Sequence, residues 1–199
     1  MNIKKNDVTY VLKICAVLLI ITMCVAALLA FVNGVTKETI ATNEKTRISE
    51  ALATLFPDAA APEATEIKGE FGDTVNGLYV VEDGDTEIGY YADVSGKGFK
   101  GVGSVGMMVG ISLDGKVVGI EIIKCDETIG IGTKIKDAGF LSGFIGRSGS
   151  VSYEKGALPG TEGIIDGISG ATYSSKAVID GVDAALKAYN AQMNGEGGE

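Results

Sequence analysis

The run with the most chemical potential is Asp166-Gly-Ile-Ser-Gly-Ala-Thr-Tyr-Ser-Ser175, small and hydroxyl-bearing residues leading into a helical pattern. It allows two readings. One is a connecting turn whose Ser and Thr side chains cap the following helix. The other is an anion site, in which Gly170 and Ala171 let a ligand reach the backbone and free amides around Ser174 to Lys176 meet a phosphate at the positive end of the helix. Spacing alone does not choose between them. Thr172 has no base beside it in sequence, and a threonine hydroxyl is a weak nucleophile without activation. The chain has no histidine at all, which excludes a Ser-His-Asp or Cys-His arrangement, His-ligated zinc and the CxxCH haem-attachment motif.

A second constellation is Gly-rich. Gly96-Lys-Gly-Phe-Lys-Gly-Val-Gly-Ser-Val-Gly106 precedes a strand pair, and Glu127-Thr-Ile-Gly-Ile-Gly-Thr-Lys134 follows it. The first stretch has no Lys-Ser/Thr ending and no GxGxxG before a helix, so neither a phosphate-binding P-loop nor a dinucleotide fingerprint fits. Glu127 and Thr128 sit on a turn supplied by Gly130 and Gly132. Glu127 is open to two readings, a solvated turn carboxylate or a group lining a site. Cys125, at the end of an apolar strand pattern, reads as a small buried hydrophobe.

The pattern Asp-Gly-x-Ser-Gly-Ala-Thr-x-Ser-Ser resembles the flavinylation motif of the FMN-binding domain family, in which a threonine carries FMN through a phosphoester bond. More narrowly, the chain resembles the G subunits of the Rnf electron-transport complex, relatives of the C subunits of the sodium-pumping NADH:quinone reductase. The resemblance runs over the basic start, one apolar segment, the stalk, the Gly-rich strand region and the C-terminal motif. In the family the second loop reads Glu-Thr-Pro-Gly-Leu-Gly and follows a histidine; here Ile129 and Cys125 stand at the proline and histidine positions. The resemblance implies covalent FMN on Thr172, with Asp166, Ser169, Gly170, Ala171, Ser174 and Ser175 forming the rest of the motif. It implies that a separate flavin transferase reads this sequence, and that Glu127, Thr128, Gly130 and Gly132 belong to the flavin site. It also implies partners, namely the membrane and redox subunits of an ion-translocating ferredoxin:NAD oxidoreductase, in which this chain relays electrons without completing a reaction alone. The competing functions are a C-type subunit of the quinone reductase and a membrane-tethered binding module with no cofactor.

These loops need elements to position them. Strand-like runs cover Leu78–Glu82, Ile88–Val94, Val105–Leu113 and Val117–Cys125, with Asp114-Gly115 as a hairpin signal between the last two. Helical spacing predicts a segment from Thr133 to Phe144 and another from Ser174 to Met193, where Ala177, Val178, Val182, Ala185, Leu186 and Tyr189 form an apolar stripe. Ala59 to Glu66 reads as a link with no core-forming pattern. Strands grouped before a terminal helix predict an α+β fold over 67–193, with a polar tail at 194–199.

The remaining feature is apolar. Across 199 residues the chain is 46% hydrophobic, with mean hydropathy +0.25 despite 22% charged residues, so its apolar residues must be concentrated somewhere. Ile14 to Val32 is a run of nineteen residues without a charge. As a helix it spans roughly 28 Å, the thickness of a bilayer core, and it exceeds the apolar region of a signal peptide. It predicts an uncleaved anchor at 14–32 after a cytoplasmic segment at 1–13, continued by a stalk helix and link at 33–66. The net charge is −9; the first fifty residues carry six Lys/Arg against four Asp/Glu, or +2, so the remaining 149 carry −11. So acidic a domain is no nucleic-acid surface. Long C-terminal domains translocate largely regardless of charge, which places the bulk of the chain outside the cytoplasm. Protease added to intact cells is expected to digest the part after Asn33; cleavage only in inside-out vesicles reverses this topology.

Overall fold

A computed structural model describes residues 5–156 and 161–195, so most of the predicted polar tail lies outside the described residues. Helix α1 runs over Lys5–Leu55. Within it Leu12–Lys37 is long and apolar enough to cross a membrane, with a mean hydropathy of 3.0 over its most apolar window. The one strongly polar residue in the middle of that run, Thr22, directs its hydroxyl back to the carbonyls of Leu18 and Leu19 at 3.0 and 2.9 Å. Its polarity is thereby satisfied within the helix backbone. The chain divides into two compact units, the first ending at Thr46 and the second beginning at Arg47.

The second unit is built on a five-stranded antiparallel meander, β1 Pro62–Ile67, β2 Val75–Asp83, β3 Thr86–Gly98, β4 Gly101–Ile111 and β5 Val117–Cys125, hydrogen-bonded in chain order. The Asp114-Gly115 hairpin forms where its signal lies, with Gly115 at φ +76°. Both faces of the sheet are covered, which explains why β4 is apolar along its length and not alternating. Met107 faces one core with Val94, Val105 and Val109, while its neighbour Met108 faces the other with Val81 and Tyr91. On this second face sit Ala51, Leu52 and Leu55 from the end of α1, followed by Phe56. Two glycines make room for them: a Cβ on Gly110 would stand 3.4 Å from Leu55 and one on Gly119 only 2.9 Å, and the two glycines are register partners on β4 and β5.

The opposite face carries α3, Thr172–Met193. The apolar stripe predicted for it is buried, and Val178, Val182, Ala185 and Leu186 are all inaccessible to solvent. Tyr189 closes the far end, its ring edge-on to Tyr90 and its hydroxyl donating to the Leu113 carbonyl at 3.0 Å. The helix begins two residues earlier than its spacing predicts, so Thr172 lies in its first turn.

Two predicted elements are corrected. The link at 59–66 contains edge strand β1, paired with β2 from Pro62↔Asp83 to Ile67↔Leu78. An open strand edge recruits backbone whatever its side-chain pattern, and Pro at the first position suits an edge. Asp83 fixes the entry by accepting the amides of Ala60 and Ala61 at 3.0 and 3.1 Å. The helix predicted over Thr133–Phe144 is broken into a 3₁₀ turn at Gly132–Lys136, a single turn α2 at Ala138–Leu141 and a second 3₁₀ turn at Ser142–Phe144. Ile135 and Phe144 are both fully buried, and Asp137 turns extended between them, at φ −66° and ψ 127°. Seating both apolar anchors in the core overrides a continuous helix. A short parallel pair, β6 Ser152–Tyr153 and β7 Ile164–Ile165, leads into α3.

Because Leu186 is wholly buried between α3 and the sheet, Leu186→Ala is expected to cost about 2–5 kcal/mol. Urea denaturation should show a lowered midpoint with the slope unchanged.

Candidate functional site

Three loops meet beside the start of α3. The first is the two-residue turn between β3 and β4, which presents Phe99 at its tip because both strands continue through the Gly-rich stretch to Gly98↔Gly101. The second is the loop after β5, where the Thr128 carbonyl accepts the amides of Gly132 at 2.8 Å and Ile131 at 3.2 Å. Gly130, at φ +78°, supplies the left-handed position of this turn, and its amide donates to Thr133 Oγ1 at 2.9 Å. The third is Gly170 to Ser174. Together they line an open cleft of about 230 Å³, walled by Phe99, Glu127, Thr128, Ile131, Gly132 and the segment Gly170–Ser174.

Glu127 is not a solvated turn carboxylate. It is 4% exposed, and among the described residues no Lys or Arg pairs with it. Hydrogen-bond donors surround it instead. Ser174 Oγ donates to Oε2 at 2.6 Å, and the amides of Phe99 and Lys100 donate to Oε2 and Oε1 at 3.2 and 3.4 Å. The Ser104 hydroxyl also bonds to it and accepts the Gly98 amide at 3.1 Å. Burial pushes the carboxyl pKa up, but the bonds from Ser174, Ser104, Lys100 and Phe99 outweigh it and hold the group below its ordinary value of 4.5. Gly98 and Gly132 create the space: a Cβ on Gly98 would lie 2.5 Å from Glu127 Oε1, and one on Gly132 would lie 2.6 Å from Glu127 Cβ and 2.7 Å from Ser174 Oγ.

The motif of residues 166–175 divides into exposed and buried members. Asp166, Ser169, Gly170 and Thr172 are exposed, whereas Ala171, Ser174 and Ser175 are buried. Ser175 Oγ accepts the Ile168 amide at 2.9 Å and donates to the Ala171 carbonyl at 3.0 Å, so it shapes the loop from beneath. Asp166 accepts the Gly156 amide at 2.9 Å on the surface. The structure thus brings Glu127, Thr128, Gly132, Gly170, Ala171, Thr172 and Ser174 to the cleft, and leaves Asp166, Ser169, Ser175 and Gly130 outside its lining. Cys125 is half-buried against the core.

Sequence reasoning missed Phe99 and Tyr173, which are 70% and 66% exposed and meet edge to face with centroids 6.0 Å apart. They also border a second cleft, of about 470 Å³, lined as well by Lys97, Lys176 and Asp180. The available signal was an aromatic at a Gly-flanked hairpin tip and another within the first turn of a helix. At that helix start, N-cap Ala171 offers no side-chain cap, and the first turn holds no acid. Its leading amides have no acceptor within the helix, the situation in which an anion binds. An exposed hydroxyl, an uncapped helix start and exposed aromatics flanking an open cleft suit a phosphate bearing a flat ring system.

Residues 98–187 match the FMN-binding domain family. This part of the chain is similar to FMN-binding domains. The match begins just before Phe99 and ends within α3, so all three loops of the cleft fall inside the matched stretch. The chain is 30% identical over 138 residues to the G subunit of the Na(+)-translocating ferredoxin:NAD(+) oxidoreductase complex of Acetobacterium woodii, covering 64% of this chain. It spans 66% of that relative, just under two thirds of its length. Its fold is similar to the crystal structure of the C subunit of the Na(+)-translocating NADH-quinone reductase from Parabacteroides distasonis, with a TM-score of 0.50, 20% identity, and coverage of 71% of this chain and 81% of the other.

A carboxyl whose pKa is lowered in the folded state stabilises the fold above its ordinary value, and that contribution disappears as pH falls through the lowered pKa. Glu127→Gln is therefore expected to cost about 1–3 kcal/mol near neutrality. The difference from the parent should shrink as the medium is acidified below the ordinary carboxyl value of 4.5, measured by urea unfolding across a pH series.

Proposed function

We infer that this chain is a membrane-anchored flavoprotein subunit that carries FMN as a phosphoester on Thr172. It relays electrons within an ion-translocating ferredoxin:NAD oxidoreductase complex. The observation that carries this reading is the placement of Thr172: its side chain is exposed in the first turn of an uncapped helix, at the wall of a cleft it shares with the Glu127 loop and the two aromatics. Ser174 and Ser175 are poorer acceptors of a flavin, because their hydroxyls are buried and already hydrogen-bonded.

The first-turn amides of α3 would hold the phosphate, and Phe99, Tyr173, Thr128 and the Glu127 loop would border the isoalloxazine. Bound FMN supplies one- and two-electron chemistry, and the protein sets its position and electrostatic surroundings. The exposed Asp166, Ser169, Gly170 and Thr172 present a surface that a separate flavin transferase can read. External catalysis suits a chain with no histidine to activate the threonine. Leu12–Lys37 is the anchor in this reading, with the acidic domain on the extracytoplasmic side among the other membrane and redox subunits. Sequence identity to the G subunit of a ferredoxin:NAD(+) oxidoreductase complex favours that complex over the quinone reductase, for which the likeness is one of fold.

Wild-type protein from its native membrane should show a fluorescent band on a denaturing gel. Its modified peptide should carry the mass of FMN less one water, with fragmentation placing the addition on Thr172. Thr172→Ala should abolish the label entirely, while Thr172→Ser keeps the oxygen and retains partial labelling. Covalent flavin persisting in Thr172→Ala, or absent from the wild type, removes this assignment and favours a tethered binding module.

A further inference from the structure

The Glu127 carboxylate does more than occupy a wall of the cleft. Its oxygens accept from the β3–β4 turn through the Phe99 and Lys100 amides, from β4 through Ser104, and from the first turn of α3 through Ser174. Phe99 and Thr172 stand on the two segments so joined, and Tyr173, the partner of Phe99 in the edge-to-face pair, lies between Thr172 and Ser174.

We propose that Glu127 is a positioning residue for the flavin: it ties the hairpin tip bearing Phe99 to the helix turn bearing Thr172 and Tyr173, and so sets the slot in which the tethered ring lies. This deepens the flavin reading above and rests on it. The chemistry of the surroundings selects a carboxylate. Every group facing Glu127 is a backbone amide or a hydroxyl able to donate, so an acceptor-only side chain satisfies them all. Glutamine turns one acceptor into a donor aimed at donors. Aspartate, a methylene shorter, cannot reach both segments from the same backbone position. Gly98 and Gly132 leave the volume that the carboxylate and Ser174 occupy, because a Cβ on either would overlap them. Ser174 belongs both to this tie and to the attachment motif, whose Asp166, Ser169, Gly170 and Thr172 lie on the exposed side.

The test uses full-length protein matured with its flavin transferase, as wild type, Glu127→Gln, Ser174→Ala and the double variant, all checked for fold by far-ultraviolet dichroism. Emission and dichroism are read per mole of covalent FMN, so a lower yield of attachment in the variants at Ser174, a motif residue, leaves the comparison intact. An electron-rich phenol held against a flavin quenches its emission, so loosening the slot should raise FMN fluorescence and diminish the visible dichroism of the flavin. Ser174→Ala keeps the carboxylate charge, which separates position from electrostatics: it should change both signals in the same direction as Glu127→Gln, though by less. Removing both ends of one tie should be non-additive, with the double variant no further from wild type than Glu127→Gln alone. Emission and dichroism unchanged in folded, flavinylated Glu127→Gln and Ser174→Ala overturn the positioning role and leave the flavin reading standing. A midpoint potential that moves in Glu127→Gln without any spectral change in Ser174→Ala also overturns it, because charge alone then accounts for Glu127. Wild-type protein without covalent FMN overturns both.

Discussion

An ionised carboxylate taken out of water without a cation must be met by hydrogen-bond donors from all sides, or it protonates. At Glu127 that requirement is met by donors from three separate parts of the chain. Each imposes a condition on the fold. The β3–β4 hairpin must be long enough to bring its tip over the loop after β5, and α3 must begin early enough for Ser174 to face inward. Two glycines must leave the volume that the carboxylate fills. The site is assembled by the need to neutralise one group, and its geometry is stiff because several weak bonds converge on two oxygens.

The sheet beneath provides the rigidity that such a junction needs. Covering both faces, one by α3 and the other by the last turns of α1, removes the flexibility of a half-solvated meander. Tyr79 and Tyr91 stack at 4.5 Å on adjacent strands, a cross-strand pair that pins the register of β2 against β3. Asp183, on α3, accepts the Ser150 hydroxyl at 2.6 Å and the Val151 amide at 3.0 Å, fastening the segment before β6 to the same helix that carries the motif. Loops fixed to packed elements hold a site more closely than loops free at both ends.

Helical geometry then sorts the motif into two faces. With 3.6 residues per turn, Thr172 and Lys176 emerge toward solvent while Ala171, Ser174 and Ser175 turn inward. The outward residues are available to another protein. The inward hydroxyls bond to Glu127 and to the loop's own backbone. The same ten residues therefore present an exposed face and the support under it, and a hydroxyl's accessibility depends on which side of the first turn it occupies.

Much of this was fixed by local sequence. The Asp114-Gly115 turn, strands β2 to β5, the apolar stripe of α3 and the long apolar run each follow from a short-range pattern, because backbone conformation and hydrophobic period are local properties. The motif of residues 166–175 was equally legible, since its small residues are contiguous. Tertiary structure decided what depends on partners distant in the chain. β1 became a strand because an open edge of β2 was there to pair with it, and the helix expected at 133–144 broke because Ile135 and Phe144 both had to reach the core. Glu127 looked equally able to be a solvated turn residue. Its burial follows from Ser174, forty-seven positions away, and from a hairpin tip twenty-eight positions before it. Phe99 at a Gly-flanked turn and Tyr173 at a helix start were legible only as positions, because an exposed aromatic acquires meaning only when another is brought beside it.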